Sequence, residues 1–134
     1  MSQDDRVNEI IYTMEILRQQ LEELEAQEEA LNLTYQDILT SLSFIRDINK
    51  VSEKSLIPIG KGLYVQGKID DKNFLYVDIG SGIIKKANLD ESRKILEERK
   101  KDIENSLNRI AKAEEDIKAR YAQLELALEK RTKK

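Results

Sequence analysis

The stretch from Leu56 to Lys86, LIPIGKGLYVQGKIDDKNFLYVDIGSGIIKK, constrains this chain more than any other. It holds the glycines, the only proline and the cleanest alternation of apolar and polar residues. Long segments with apolar residues at heptad spacing flank it on both sides. A short β module between two long helices fixes their direction, because the second helix must return beside the first.

The first segment opens with Ser2 and Asp5, three positions apart as in a capping box. One seam row then runs Val7, Met14, Leu21, Glu28, Tyr35 and Leu42, and the other Ile10, Leu17, Leu24, Leu31, Ile38 and Ile45; only Glu28 breaks the pattern. No glycine or proline interrupts residues 1–55. The pattern predicts a helix of roughly 45 residues within 1–50, ~65 Å long. A stripe this narrow needs a partner helix more than a globular core. Ile11, Tyr12 and Ile16 cluster off the seam, and Leu33 lies alone. Scattered surface hydrophobes are common. Leu33 is read that way, and the cluster either that way or as a contact surface at a free tip.

Pro58 ends the helical reading, since it lacks an N–H and restricts Ile57 to extended backbone. Four strands are expected, at about 56–59, 63–69, 74–79 and 82–86. In the central two, Leu63, Val65 and Ile69 share one face, as do Leu75, Val77 and Ile79. A three-residue loop, Asp71-Lys72-Asn73, would pair Asp70 with Phe74 and Val65 with Ile79, with Asn73 left-handed in a bulge turn. Gly60-Lys61-Gly62 and Gly80-Ser81-Gly82 invite a phosphate-loop reading. Neither has the GxxxxGK signature between a strand and a helix, and turn glycines linking strands one to two and three to four explain both.

A sheet this small is marginal alone, and the narrow helical stripes leave little to cover it. It is therefore expected to pair with sheet from other chains, because free strand edges are templates for association. The residues assigned to subunit assembly are Leu56, Ile57, Ile59, Leu63, Val65, Ile69, Leu75, Val77, Ile79 and Ile83.

Asn88 can cap the second helix, expected over 88–131, with Asp90 and Glu91 in its first turn. One seam row is Leu89, Leu96, Ile103, Ile110, Ile117 and Leu124; the weaker row is Arg93, Lys100, Leu107, Glu114, Tyr121 and Leu128. The basic tail Lys130-Arg131-Thr132-Lys133-Lys134 suits a helix C-terminus. An antiparallel register whose paired numbers sum to about 138 sets Leu21 against Ile117 and Met14 against Leu124. It also sets Glu28 against Ile110 and Leu24 against Glu114, a partly wet mid-coil seam. Arg93 and Lys100 can lay their stems over Ile45 and Ile38. Both termini, and Leu126 beside Ile11, Tyr12 and Ile16, fall at the far end. The expected fold is thus α+β and mostly α: one domain over 1–134, a long antiparallel coiled-coil hairpin joined by two β-hairpins that assemble into an intersubunit β-barrel.

Composition narrows the function. With 23 basic and 26 acidic residues among 134, net charge −3, the surface is not the basic one that nucleic acid requires. No cysteine and no histidine leaves no disulfide, thiol catalysis, ordinary zinc site or imidazole chemistry. No catalytic residue, metal or cofactor is expected. No apolar run approaches a membrane span, and MSQDDRVNEI lacks the features of a signal peptide. A cytoplasmic location is expected, and the glycosylation sequon at Asn32 is read as idle.

The segments LIPIGKGLYVQGKI and FLYVDIGSGIIKKANLDE, within a helix–four strands–helix order spanning the chain, resemble prefoldin, specifically its alpha class of the archaeal type. Two hairpins rather than one separate alpha-like from beta-like subunits in that family. The resemblance implies an ATP-independent molecular chaperone, not an enzyme, in which two alpha and four beta subunits form a hetero-hexamer through a double β-barrel. The coiled-coil tips would hold unfolded client proteins and pass them to a group II chaperonin. The tip residues here are Ile10, Ile11, Tyr12, Met14, Ile16, Leu124, Leu126 and Leu128. A rival reading is a structural tether or scaffold oligomerised through its β module. An enzyme fits least, because the carboxylates sit on solvated helix faces with no predicted pocket.

Overall fold

The computed structural model describes residues 2–132; Lys133 and Lys134 of the basic tail lie outside the described residues. Helix α1 spans Gln3–Asp47 and ends in a 3-10 turn, Ile48–Lys50. Strands β1 (Ser55–Gly60), β2 (Leu63–Gly67), β3 (Phe74–Asp78) and β4 (Ile84–Asn88) follow, then helix α2 (Leu89–Thr132). At 45 residues α1 has the expected length. The two helices pack antiparallel with two β-hairpins between them.

Both helix starts close as the sequence requires. The Asp5 N–H donates to Ser2 Oγ at 3.2 Å and the Ser2 N–H to the Asp5 carboxylate at 3.4 Å, a reciprocal capping box. Asn88 Oδ1 accepts the Glu91 N–H at 2.8 Å. Asn88 is also the last residue of β4, so strand passes to helix without a loop. Ser92, fully buried, donates its hydroxyl to the Asn88 carbonyl at 2.8 Å, which meets the hydrogen-bonding demand of a polar group removed from water.

The strands pair differently from the expected central hairpin. β1 pairs with β2 and β3 with β4, as two separate two-stranded antiparallel sheets; β2 and β3 do not pair. Asp71-Lys72-Asn73 is therefore a link between hairpins. The Asp71 carboxylate accepts the Asn73 N–H at 2.8 Å, and Asn73 is not left-handed. Lys72 Nζ donates to the Val51 carbonyl at 3.0 Å and ties the link to the chain just after α1. The tight turns lie at the two glycine pairs, which link β1 to β2 and β3 to β4 as expected. Gly80, Ser81 and Gly82 all have positive φ, and Gly80 and Gly82 reach that region without the strain of a Cβ. Gly82 thus belongs to the turn, and β4 starts two residues later than expected. β2 correspondingly stops at Gly67.

Contacts divide the described chain into two units, residues 2–34 with 102–132 and residues 35–101. In the first, Leu17 and Ile110 are the buried core, and Leu17, Leu21, Ile117 and Tyr121 line one cleft between the two helices. In the second, Ile38, Ile45, Ile48 and Ala87 are buried. Lys100 lies half-buried there, while Arg93 turns to Asp90 at 2.9 Å.

Candidate functional site

The residues assigned to client binding separate into two groups. Ile11, Tyr12, Ile16 and Leu126 are exposed, Tyr12 at 68%. Ile10, Met14, Leu124 and Leu128 are half-buried at heptad positions of the helix pair. The off-seam residues thus offer free apolar surface at the end of the first unit that carries both termini, and the seam residues hold that end together. Gln3 Nε2 donates to the Arg131 carbonyl at 2.8 Å and ties the two helix ends to each other. A cleft of about 270 Å³ follows along the seam, lined by Leu17, Leu21, Ile117 and Tyr121 with Arg18 and Glu125 at its rim.

The β module carries the second apolar surface. In the β1–β2 hairpin Leu56, Ile57, Ile59, Leu63 and Val65 are all exposed, so both faces are bare. Ile79 and Ile83, at the β3–β4 turn, are exposed as well. Ile69, Leu75 and Val77 are half-buried. Leu75 and Val77 turn toward a cleft of about 480 Å³ that they share with Phe44, Ile45, Ser92 and Leu96. Helical residues thus do cover one face of the β3–β4 sheet, contrary to the expectation from the narrow stripes. The reason lies in α1, where Phe44 stands beside Ile45 and Ile48 and widens the apolar face.

The outward face of that sheet was not read from the sequence: Phe74, Tyr76 and Ile84 are large and exposed, Tyr76 at 70%, and so is Tyr64 on β2 of the other sheet. Their signal was present, since β-rich aromatic residues fill the opposite parity of the same strands. The Lys86 ammonium sits 4.7 Å from the Phe74 ring centroid, a cation–π contact on this face. Each two-stranded sheet leaves its outer backbone edges unpaired within the chain.

Arg99 donates to the Asp78 carbonyl and so fastens the end of β3 to α2. No described residues group as metal ligands, and no described helix is long and apolar enough to cross a membrane. Both glycine-rich stretches connect strand to strand, the geometry of turns and not of a phosphate cradle.

Two long antiparallel helices joined by two β-hairpins define a class, and comparison with known proteins identifies it. The prefoldin subunit family matches residues 17–134, and the chain belongs to that family. Within it the chain is of the alpha class. Prefoldin subunit alpha of Pyrococcus horikoshii is 27% identical over 92% of this chain and 86% of its own length. Prefoldin subunit alpha of Archaeoglobus fulgidus is 28% identical over 95% of this chain and 96% of its own. In structure, the chain resembles filamentous PFD from Methanocaldococcus jannaschii, with TM-score 0.73 at 21% identity over 83% of this chain and 93% of that one. It also resembles the prefoldin beta subunit of Thermococcus strain KS-1, with TM-score 0.69 at 16% identity over 96% and 94%. The family is one of chaperones, not enzymes, and its subunits assemble with one another.

Proposed function

We propose that this chain holds unfolded polypeptides at the terminal end of its helix pair and passes them to a group II chaperonin without using ATP. It does so in the cytoplasm, as one of two alpha subunits joined to four beta subunits through an intersubunit β-barrel. The observation that carries the client-binding reading is that Ile11, Tyr12, Ile16 and Leu126, four of the six large exposed apolar residues on the two described helices, lie toward this end. Burying one such side chain against a client contributes ~1.5–3 kcal/mol at most, so a single end binds weakly. Several ends acting on one client raise the affinity by roughly 10²–10⁴ through effective concentration. Weak individual contacts also allow stepwise release.

Assembly draws support from the β1–β2 hairpin, which is bare on both faces, and from its unpaired edges. Two-stranded sheets are not independently stable in water, and a barrel shared between subunits satisfies the edges and covers the faces together.

The test combines two measurements. Native mass of the complex formed in the source cells should give six chains, with a second coiled-coil subunit in twofold excess. Replacing Ile11, Tyr12, Ile16 and Leu126 with serine in that complex should reduce suppression of aggregation of a denatured protein while the mass stays the same. A lone dimer overturns the barrel, and unchanged holding by the assembled variant overturns the assignment of the client surface.

A further inference from the structure

The two hairpins of the β module are held to the rest of the chain unequally. β3–β4 is fastened to the helices. Ala87 of β4 is buried, at 1% exposure, and pairs across the sheet with Leu75. Leu75 and Val77 turn toward Phe44, Ile45 and Leu96. The Arg99 guanidinium donates to the Asp78 carbonyl, and Lys85 Nζ lies 3.5 Å from the Glu91 carboxylate. β4 itself runs directly into α2. In β1–β2, by contrast, every residue from Leu56 to Gln66 is exposed. The anchors of this hairpin lie at its base, where Ser55 Oγ donates to the Ser52 carbonyl at 2.8 Å and Lys72 Nζ to the Val51 carbonyl at 3.0 Å. Its own packing is internal, with the Ile57 side chain filling the space beside Gly67.

We infer that β3–β4 is a preformed platform, whereas β1–β2 becomes stably ordered only on the sheet of another subunit, so that this hairpin folds as the subunits join. The inference rests on the assembly through the β module proposed above. A two-stranded hairpin with no covered face is marginal in water, and segments with few buried apolar contacts open at small cost in free energy. On β1–β2 six large apolar residues, Leu56, Ile57, Ile59, Leu63, Tyr64 and Val65, stand in water. Burying them is what offsets the entropy lost when the backbone is fixed. The occupant that meets every demand is a partner's sheet. The outer backbone edges of β1 and β2 need N–H and C=O partners, and the bare faces need apolar cover. A helix laid on the hairpin would cover one face and leave the edges open. Ordering on contact lowers the net affinity of the segment that orders. The first contact therefore falls to β3–β4, and β1–β2 closes the joint afterwards.

Amide exchange of the full chain tests this, corrected for intrinsic rates, with the native mass read at each concentration. The chain is compared alone, over a dilution series, and in the complex that it forms in its source cells. In the one-chain state residues 55–67 should exchange about tenfold faster than residues 74–88, or more. In the complex both hairpins should be protected, so residues 55–67 gain the most. Leu96→Ala thins the cover over Leu75 and Val77. In the one-chain state it should speed exchange in residues 74–88 and leave residues 55–67 where they were. Equal protection of the two hairpins in the one-chain state, or an equal response of both to Leu96→Ala, overturns the inference while assembly stands. Residues 55–67 left unprotected in a complex of proven mass overturn it too. A chain that stays single at every concentration and with every subunit that copurifies overturns the assembly reading, and the ordering step falls with it.

Discussion

The Ile57 side chain occupies the space in which Gly67 would carry a Cβ: that atom would stand 2.5 Å from Ile57 Cδ1. The two residues lie on facing strands of the β1–β2 hairpin, Ile57 opposite Val65 and Gly67 opposite Ser55. Gly67 is thus set by a neighbour's packing and not by its own backbone conformation.

Gly67→Ala should therefore destabilise the hairpin modestly, because the exposed end of Ile57 must turn aside. An off-rotamer side chain costs about 0.5–1.5 kcal/mol. Ile57→Val removes the offending Cδ1, so Gly67→Ala made in an Ile57→Val background should cost clearly less than alone. Chemical denaturation of the four proteins in this cycle measures the coupling. Additive effects would show that the contact does not set the residue at position 67.

Lys72 links the two hairpins to the chain after α1 through a half-buried contact with the Val51 carbonyl. Hydrogen bonds that involve a charged partner contribute roughly 1.5–3 kcal/mol. Lys72→Met keeps most of the stem and removes the donor. It should lower stability by about that amount and raise amide exchange across residues 68–73. Lys72→Arg should recover part of the loss.

Much of this architecture is legible in the sequence, and the failures have a common physical source. The capping residues Ser2 and Asn88 were readable because a cap is a local device within three residues. The heptad seam was readable because its period repeats over many turns. The two hairpins closed by the glycine turns were readable too; that β2 and β3 stay unpaired was not, since alternation is the same whichever neighbour a strand chooses. Apolar faces on β2 and β3 fit a central hairpin as well as two lateral ones. What decides is turn chemistry: the left-handed positions fell at Gly80, Ser81 and Gly82, while Asn73 took an ordinary conformation held by Asp71. The outward aromatic face of Tyr64 and Tyr76 was missed for a related reason. Both faces of these strands carry large apolar residues, and a one-sided reading of the pleat suppresses the second.

Asn88 caps the long helix α2 at the point where it leaves the β module. Asn88→Ala should cost about 1 kcal/mol, the usual loss for such a cap. Ser2→Ala should lower global stability less, because it caps the first turn of α1, far along the helix from the β module, where local fraying substitutes for unfolding. Thermal melts of the two variants side by side test the contrast, and Asn88→Asp serves as the tolerated control.

Arg18 bridges Glu15 and Glu22 on the surface of α1, reaching Glu22 at 2.7 Å. Its hydrogen bond with Glu15 lowers that carboxyl's pKa below the ordinary value, with the charge attraction adding. A lowered folded value means that any stabilisation is present above the unfolded pKa and lost as pH falls through the folded one. The group is fully exposed, so solvent screens the pair. Arg18→Gln should return the Glu15 titration to its ordinary range by carboxyl NMR while leaving the neutral-pH melting temperature nearly unchanged. A large loss of stability would mean that Arg18 acts chiefly through the apolar cleft it borders beside Tyr121.

The split among the apolar residues near the chain termini gives the sharpest separation of holding from folding. Ile11 and Tyr12 are exposed, so exchanging them for serine removes surface that the folded chain does not bury. Met14 and Leu124 are half-buried at seam positions. Exchanging them for serine removes helix–helix packing, and large-to-small core changes of this kind cost about 2–5 kcal/mol when burial is complete, so less here. The first pair should lower the capacity to suppress aggregation with little change in melting temperature. The second should lower the melting temperature and raise amide exchange near the termini, and holding should fall only as far as that end loosens. Measuring aggregation suppression and thermal unfolding on both double variants places each on two axes. If Met14 and Leu124 moved holding without moving stability, client contact would extend into the seam, and the helix pair would have to open to bind.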